Sequence, residues 1–267
     1  MSSPHLPPEI LDLVVGHLHD TRHTLRNCCL VAKSWLQRTR KHLFANVDFP
    51  FVEGLQSWKE TFLDPSTSPA RYAKTLSVGC PEVVTAADAN VGGWIRGFSR
   101  VEHLDIRVDT FNFDDPAAAL VPFHGLSPII KSLRVDILAL PHSPIINLIS
   151  SFPLLEDLAV TIHYGRWDET GDGPEGDETL TAAQPLTPSM FTGTLELHLK
   201  EGAKAFVRRL LSLPGGIHFR KLAMTCLRGR DLLLTTELVE ACSRTLESLD
   251  IAFHLLGMSS LRLRWHQ

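Results

Sequence analysis

Seven copies of one short phrase constrain this chain more than any other feature. The phrase is an apolar residue, two others, a leucine, one polar or small residue and a second apolar residue. It reads Val101-Glu102-His103-Leu104-Asp105-Ile106, then Ile130-Lys131-Ser132-Leu133-Arg134-Val135, then Leu155-Glu156-Asp157-Leu158-Ala159-Val160. A shorter copy, Thr75-Leu76-Ser77-Val78, comes first. Thr194-Leu195-Glu196-Leu197-His198-Leu199, Phe219-Arg220-Lys221-Leu222-Ala223-Met224 and Leu246-Glu247-Ser248-Leu249-Asp250-Ile251 follow. Successive anchor leucines are 28, 29, 25, 37, 27 and 27 residues apart. Alternation of apolar and polar residues is the signature of a strand with one buried face.

The long gap has a visible cause. It contains Asp168-Glu169-Thr170-Gly171-Asp172-Gly173-Pro174-Glu175-Gly176-Asp177-Glu178, polar and acidic, which reads as an insert of about ten residues within a loop spanning 165–188. Between phrases lie apolar stretches with helical spacing: Ile145 to Phe152, Ala203 to Leu213 and Leu232 to Cys242. Pro153, Pro214-Gly215-Gly216 and Gly229 mark the returns. Leucine accounts for 41 of the 267 residues, and the phrases and helices absorb much of that excess. Strand, helix and strand at a near-constant period predict an α/β chain whose parallel sheet grows one strand per repeat.

These phrases resemble irregular leucine-rich repeats, covering roughly residues 70–255 and implying a solenoid over 71–267. Five of the six spacings fall in the window of about 20–29 residues for that family. The chain departs from the regular pattern at the position five after each anchor. Asparagine or cysteine is usual there, and Pro81, Asp109, Leu138, His163, Lys200, Leu227 and His254 stand instead. The resemblance implies that residues flanking the anchors face a binding surface: Asp105, Arg107, Arg134, Asp136, Thr161, His198 and Thr225, with Ser77, Glu196 and Asp250 beside them. The set is mixed in charge, lacks aromatics and names no target.

Residues 1–48 read differently. Ile10, Leu11, Val14, Val15 and Leu18 line one helix, opened by Pro7-Pro8, where a missing N–H costs nothing. Leu25, Cys28, Cys29 and Val31 predict a second helix, and Trp35, Leu36, Leu43 and Phe44 a third. Three short helices make a small core. Their apolar residues are either that core or a surface for a partner. Phe51, Leu55, Trp58 and Phe62 predict a packed helical connector over 49–70.

Leu6-Pro7-Pro8-Glu9-Ile10-Leu11, the Leu30-Val31 pair before Trp35, and His42-Leu43-Phe44-Ala45-Asn46-Val47 resemble the F-box, especially of large fungal families. The resemblance covers about 42 residues. It implies a Skp-type adaptor as partner and, through it, a cullin–RING ubiquitin ligase. Leu6, Pro7, Ile10, Leu11, Val14, Leu30, Val31 and Trp35 would meet the adaptor, and the repeats would hold a protein target. The alternative is a repeat scaffold acting outside a ligase, its front helices buried as a cap.

Chemistry of other kinds finds little support. A net charge of -4 argues against nucleic acid or an anionic membrane as partner. No apolar run is long enough to span a bilayer, and Met1 to Ile10 lacks a secretory pattern. The five cysteines, Cys28, Cys29, Cys80, Cys226 and Cys242, form no paired spacing and fit a reducing compartment, cytoplasm or nucleus. No G-x-S-x-G, Walker or H-E-x-x-H motif occurs, so a non-catalytic chain without cofactor or metal is expected. His17, His19 and His23 cluster without a thiol or carboxylate to complete a metal set. The sequence from Leu261 to Gln267 offers no polar cap, which predicts an open apolar edge after the last phrase and raises the question of a truncated chain.

Overall fold

The computed structural model describes residues 7–18, 21–31, 33–64, 67–79, 95, 97–108, 120–126, 128–137, 142–163, 191–199, 203–226, 231–253 and 261–266. It is an α/β protein with a mostly parallel sheet. Three helices come first: α1 (Pro8–His17), α2 (Arg22–Val31) and α3 (Lys33–Leu43). Leu11 and Val15, one turn apart on α1, are buried with Leu25 and Cys28 of α2. Arg38 of α3 donates to the Asp12 carboxylate of α1. The buried Thr39 hydroxyl donates to the Trp35 carbonyl at 2.8 Å and lies 3.0 Å from the Cys29 sulfur. None of Leu11, Val15, Leu25 and Cys28 belongs to the large cluster formed by the rest of the described chain.

The sheet contains, in chain order, β1 (Asn46–Phe49), β2 (Thr75–Gly79), β3 (His103–Val108), β4 (Ser132–Ile137), β5 (Asp157–Ile162), β6 (Thr194–Leu199), β7 (Lys221–Cys226), β8 (Ser248–Phe253) and β9 (Leu261–His266). Spatial order equals sequence order, and β1 to β8 are all parallel. The register sets Leu76 beside Leu104, then Leu133, Leu158, Leu195, Leu222 and Leu249. All seven phrases are therefore neighbouring strands, with their anchors in one row. The 37-residue spacing does not shift that register, since Leu158 pairs directly with Leu195. The acidic insert lies outside the described residues.

Buried backbone must find partners without an asparagine row. At most steps a single carbonyl just before one strand accepts two N–H groups from the next repeat. Lys74 O takes Glu102 and His103, Glu102 O takes Lys131 and Ser132, and Lys131 O takes Glu156 and Asp157. Gly193 O and Arg220 O do the same further on. The step from β5 to β6 differs. Among the described residues Glu156 O accepts Gly193 N–H there, and Thr194 N–H goes to the Asp157 carboxylate at 2.6 Å. A side chain replaces a carbonyl lone pair at the step that carries the insert. Asp157→Ala is expected to lower stability by about 1–3 kcal/mol, the cost of an orphaned donor, while Asp157→Asn keeps most of it. Urea titration of both variants checks this. Among the positions five after the anchors, His163 is described and lies 2.8 Å from the Asp136 carboxylate, and the other six lie outside the described residues.

Helices α5 (His142–Ser150), α6 (Ala203–Leu211) and α7 (Asp231–Ala241) cover the core face. They bury Ile145, Leu148, Ile149, Phe206, Val207, Leu210, Leu234 and Leu238 over the anchors. The connector helix α4 (Val52–Thr61) closes the first strands through Trp58, whose ring meets Phe44, Phe49, Phe62 and Phe98 at 4.7–6.0 Å. Two strands extend the sheet beyond the phrases. β1 adds Val47 to the anchor row, beside Leu76. β9 pairs antiparallel with β8 and so extends the sheet one strand past the last phrase, and its own Leu263 and Trp265 are exposed. Among the described residues no helix is long and apolar enough to cross a membrane.

Candidate functional site

Two surfaces carry the residues singled out from the sequence. The first is on the helical bundle. Leu6 lies outside the described residues. Pro7 is exposed, and Ile10, Val14, Leu30 and Val31 are exposed at 46 %, 38 %, 86 % and 67 %. Trp35 is half-buried. Leu11 differs from expectation. Ile10, Leu13 and Val14 share one side of α1, and Leu11 with Val15 turns to the other, into the bundle core. Leu13, at 60 % exposure, joins the outward set and was missed. Its spacing of three from Ile10 was the available signal. Five large apolar side chains thus face outward on a unit of three short helices, more than scattered exposure accounts for.

The second surface is the face of the sheet away from the helices. Side-chain alternation places Asp105 and Arg107 of β3, Arg134 and Asp136 of β4, Thr161 of β5, His198 of β6 and Thr225 of β7 there. They fall into two adjacent rows. Arg107, Asp136, Thr161, His198 and Thr225 form one, strand by strand. Asp48, Ser77, Asp105, Arg134, Ala159, Glu196, Ala223 and Asp250 form the other.

The rows are laced by charge. Arg107 donates to Asp105 Oδ2 at 2.8 Å, and the Ser77 hydroxyl donates to the same oxygen at 3.2 Å. That hydrogen bond and the Asp105 charge, with Asp48 and Asp136 nearby, hold the Arg107 guanidinium above its already high range. The other oxygen, Asp105 Oδ1, is buried and accepts nothing from the described residues. Arg134 reaches past Ala159 to Glu196 at 3.4 Å. His198 lies 2.8 Å from Glu196 and 2.7 Å from the Thr225 hydroxyl, and His163 lies 2.8 Å from Asp136. These contacts form three groups, Ser77–Asp105–Arg107, Asp136–His163 and Arg134–Glu196–His198–Thr225, with Glu196 joining the last.

Their energetic weights differ. Arg107→Ala removes the cation beside a half-desolvated carboxylate and is expected to cost about 1 kcal/mol. Arg134→Ala breaks a long, exposed pair and is expected to stay within about 0.5 kcal/mol of the parent. Chemical denaturation of the two variants side by side tests the ranking.

The arrangement offers surface and hydrogen-bonding groups. Among the described residues no three His, Cys, Asp or Glu side chains converge as metal ligands. Cys242 is buried, which pushes its thiol up and leaves it a packing residue. Gly171 to Gly176 spells G-x-G-x-x-G. It lies outside the described residues, and six carboxylates in the Asp168 to Glu178 run would repel a pyrophosphate. The class defined by fold and surfaces is an α/β protein with a mostly parallel, sequential sheet, a polar outer sheet face and exposed apolar side chains on its first two helices. Comparison with known protein families, curated proteins and solved structures finds no match for this chain.

Proposed function

We propose that the chain is the target-recognition subunit of an SCF-type cullin–RING ubiquitin ligase, working in the cytoplasm or nucleus. In this reading residues 1–48 are an F-box that docks a Skp-type adaptor, 49–70 connect, and 71–267 form an irregular leucine-rich-repeat solenoid that holds a target protein. The chain contributes no catalytic side chain. Its work is proximity, bringing a target lysine near a ubiquitin-loaded enzyme.

The observation that carries the proposal is the outward set Ile10, Leu13, Val14, Leu30 and Val31 on a bundle whose buried apolar residues lie outside the large cluster. A cap for the sheet would turn such residues inward; a docking module leaves them accessible. The unbroken row of anchor leucines supports the repeat reading, and the polar outer face supplies a continuous surface for a target. The test is retention of the purified chain by immobilised Skp-type adaptor. Co-elution at micromolar concentration supports the proposal, and absence of retention by a folded chain overturns it.

A further inference from the structure

The sheet ends on a strand that is paired along one side. Among the described residues nothing pairs with β9 on the side away from β8. Leu263 lies opposite Ile251 and Trp265 opposite Leu249, so both stand on the core side, yet they remain 53 % and 44 % exposed. Arg262, Arg264 and His266 stand on the outer side, opposite Ala252, Asp250 and Ser248. Arg262 Nε is 2.7 Å from Asp250 Oδ1, and Arg264 Nε is 3.3 Å from Oδ2. Asp250 is held below the usual carboxylate range, chiefly by the Arg262 hydrogen bond. One carboxylate thus serves two guanidiniums, both more than half exposed, with exposed Lys221 opposite Ser248 in the neighbouring row. The edge carries excess positive charge outside and apolar surface inside.

That pattern selects its occupant. An unpaired edge is a template for another strand. A second copy pairing through β9 would bring Arg262 and Arg264 against the same guanidiniums at about 5 Å, a destabilising arrangement. A segment with alternating acidic and apolar residues meets both rows favourably. We propose that the β9 edge docks an extended acidic peptide segment, which adds as a further strand with carboxylates over Arg262 and Arg264 and apolar side chains beside Leu263 and Trp265. Main-chain hydrogen bonds give affinity, and the alternating side chains give selectivity. The site is independent of the adaptor face.

The experiment uses the full chain and two fluorescein-labelled peptides of about eight residues, one alternating glutamate with valine, the other lysine with valine. Fluorescence polarisation is expected to show binding of the glutamate peptide alone, weakened by added salt. Arg262→Glu/Arg264→Glu is expected to lower that affinity by about tenfold or more and to favour the lysine peptide. Arg264→Gln, which leaves the Arg262–Asp250 pair in place, is expected to weaken it about threefold, and thermal unfolding of each variant separates lost binding from lost fold. Equal binding of both peptides, no binding by the folded parent chain, or a parent dimer abolished by Leu263→Lys each overturns the proposal. Retention on the adaptor is expected to survive all these substitutions, so the two proposals fail separately.

Discussion

Phe219→Ala is expected to lower the unfolding free energy by about 3–5 kcal/mol, a large share of the roughly 5–15 kcal/mol that holds a typical domain folded. Phe219 occupies the first apolar position of its phrase, three residues before the anchor Leu222, and is fully buried. Its ring lies 5.2 Å from that of Phe191, tilted by 49°. Phe191 has a backbone φ of 39°, in the left-handed region that a bulky residue rarely enters. Burial of its ring and the bond from its N–H to Leu155 O hold it there. Phe219 thus does more than fill space: it is a wall of the site that pins the chain where it returns into β6. Truncation removes apolar contact and loosens that return together. A double-mutant cycle with Phe191→Ala is expected to show coupling of about 0.5–1.5 kcal/mol. Additive effects would mean that the rings contribute independently, and a Phe219→Ala cost below about 1 kcal/mol would mean that the cavity collapses freely.

Phe219 also shows why so much of the sheet was legible. A parallel strand buried on one face needs its apolar residues at period two, and a repeating unit needs them at fixed places in each unit. Leu76 to Leu249 satisfy both demands, so period and register could be read together. β1 escaped because Val47 holds the anchor position, so the leucine phrase fails, although the position lies 29 residues before Leu76 (76 − 47). β9 escaped because it repeats no phrase. Its signal was the bare alternation Leu261-Arg262-Leu263-Arg264-Trp265-His266. Which residues stand on the outer face was implied by the repeat resemblance. Which of them pair was not, because Arg134 and Glu196 are 62 residues apart in sequence and meet only through the register. On α1 the helical period allowed either apolar side to face inward. Packing against α3 chose Leu11 and Val15, a choice that local sequence does not encode.

That choice is what makes the adaptor proposal testable residue by residue. Leu30→Asp/Val31→Asp is expected to abolish retention on a Skp-type adaptor while leaving the thermal transition of the chain unchanged. Both side chains are among the most exposed apolar groups on α2, and replacing surface residues of this kind usually changes stability by no more than about 0.5 kcal/mol. If they sit at the centre of the interface, each removal costs about 2 kcal/mol of binding, or roughly 30-fold, and a buried carboxylate adds to it. Ile10→Asp and Leu13→Asp on α1 are expected to weaken binding in the same way. Leu11→Asp is the contrasting variant. It buries a charge beside Val15 and Leu25, so it is expected to melt the bundle and lose the adaptor through unfolding, visible as lost helical circular dichroism. If Leu30→Asp/Val31→Asp binds as the parent does, the exposed face is not the docking surface. If it instead unfolds the chain, that face is covered in solution, which is what a cap requires and a receptor does not.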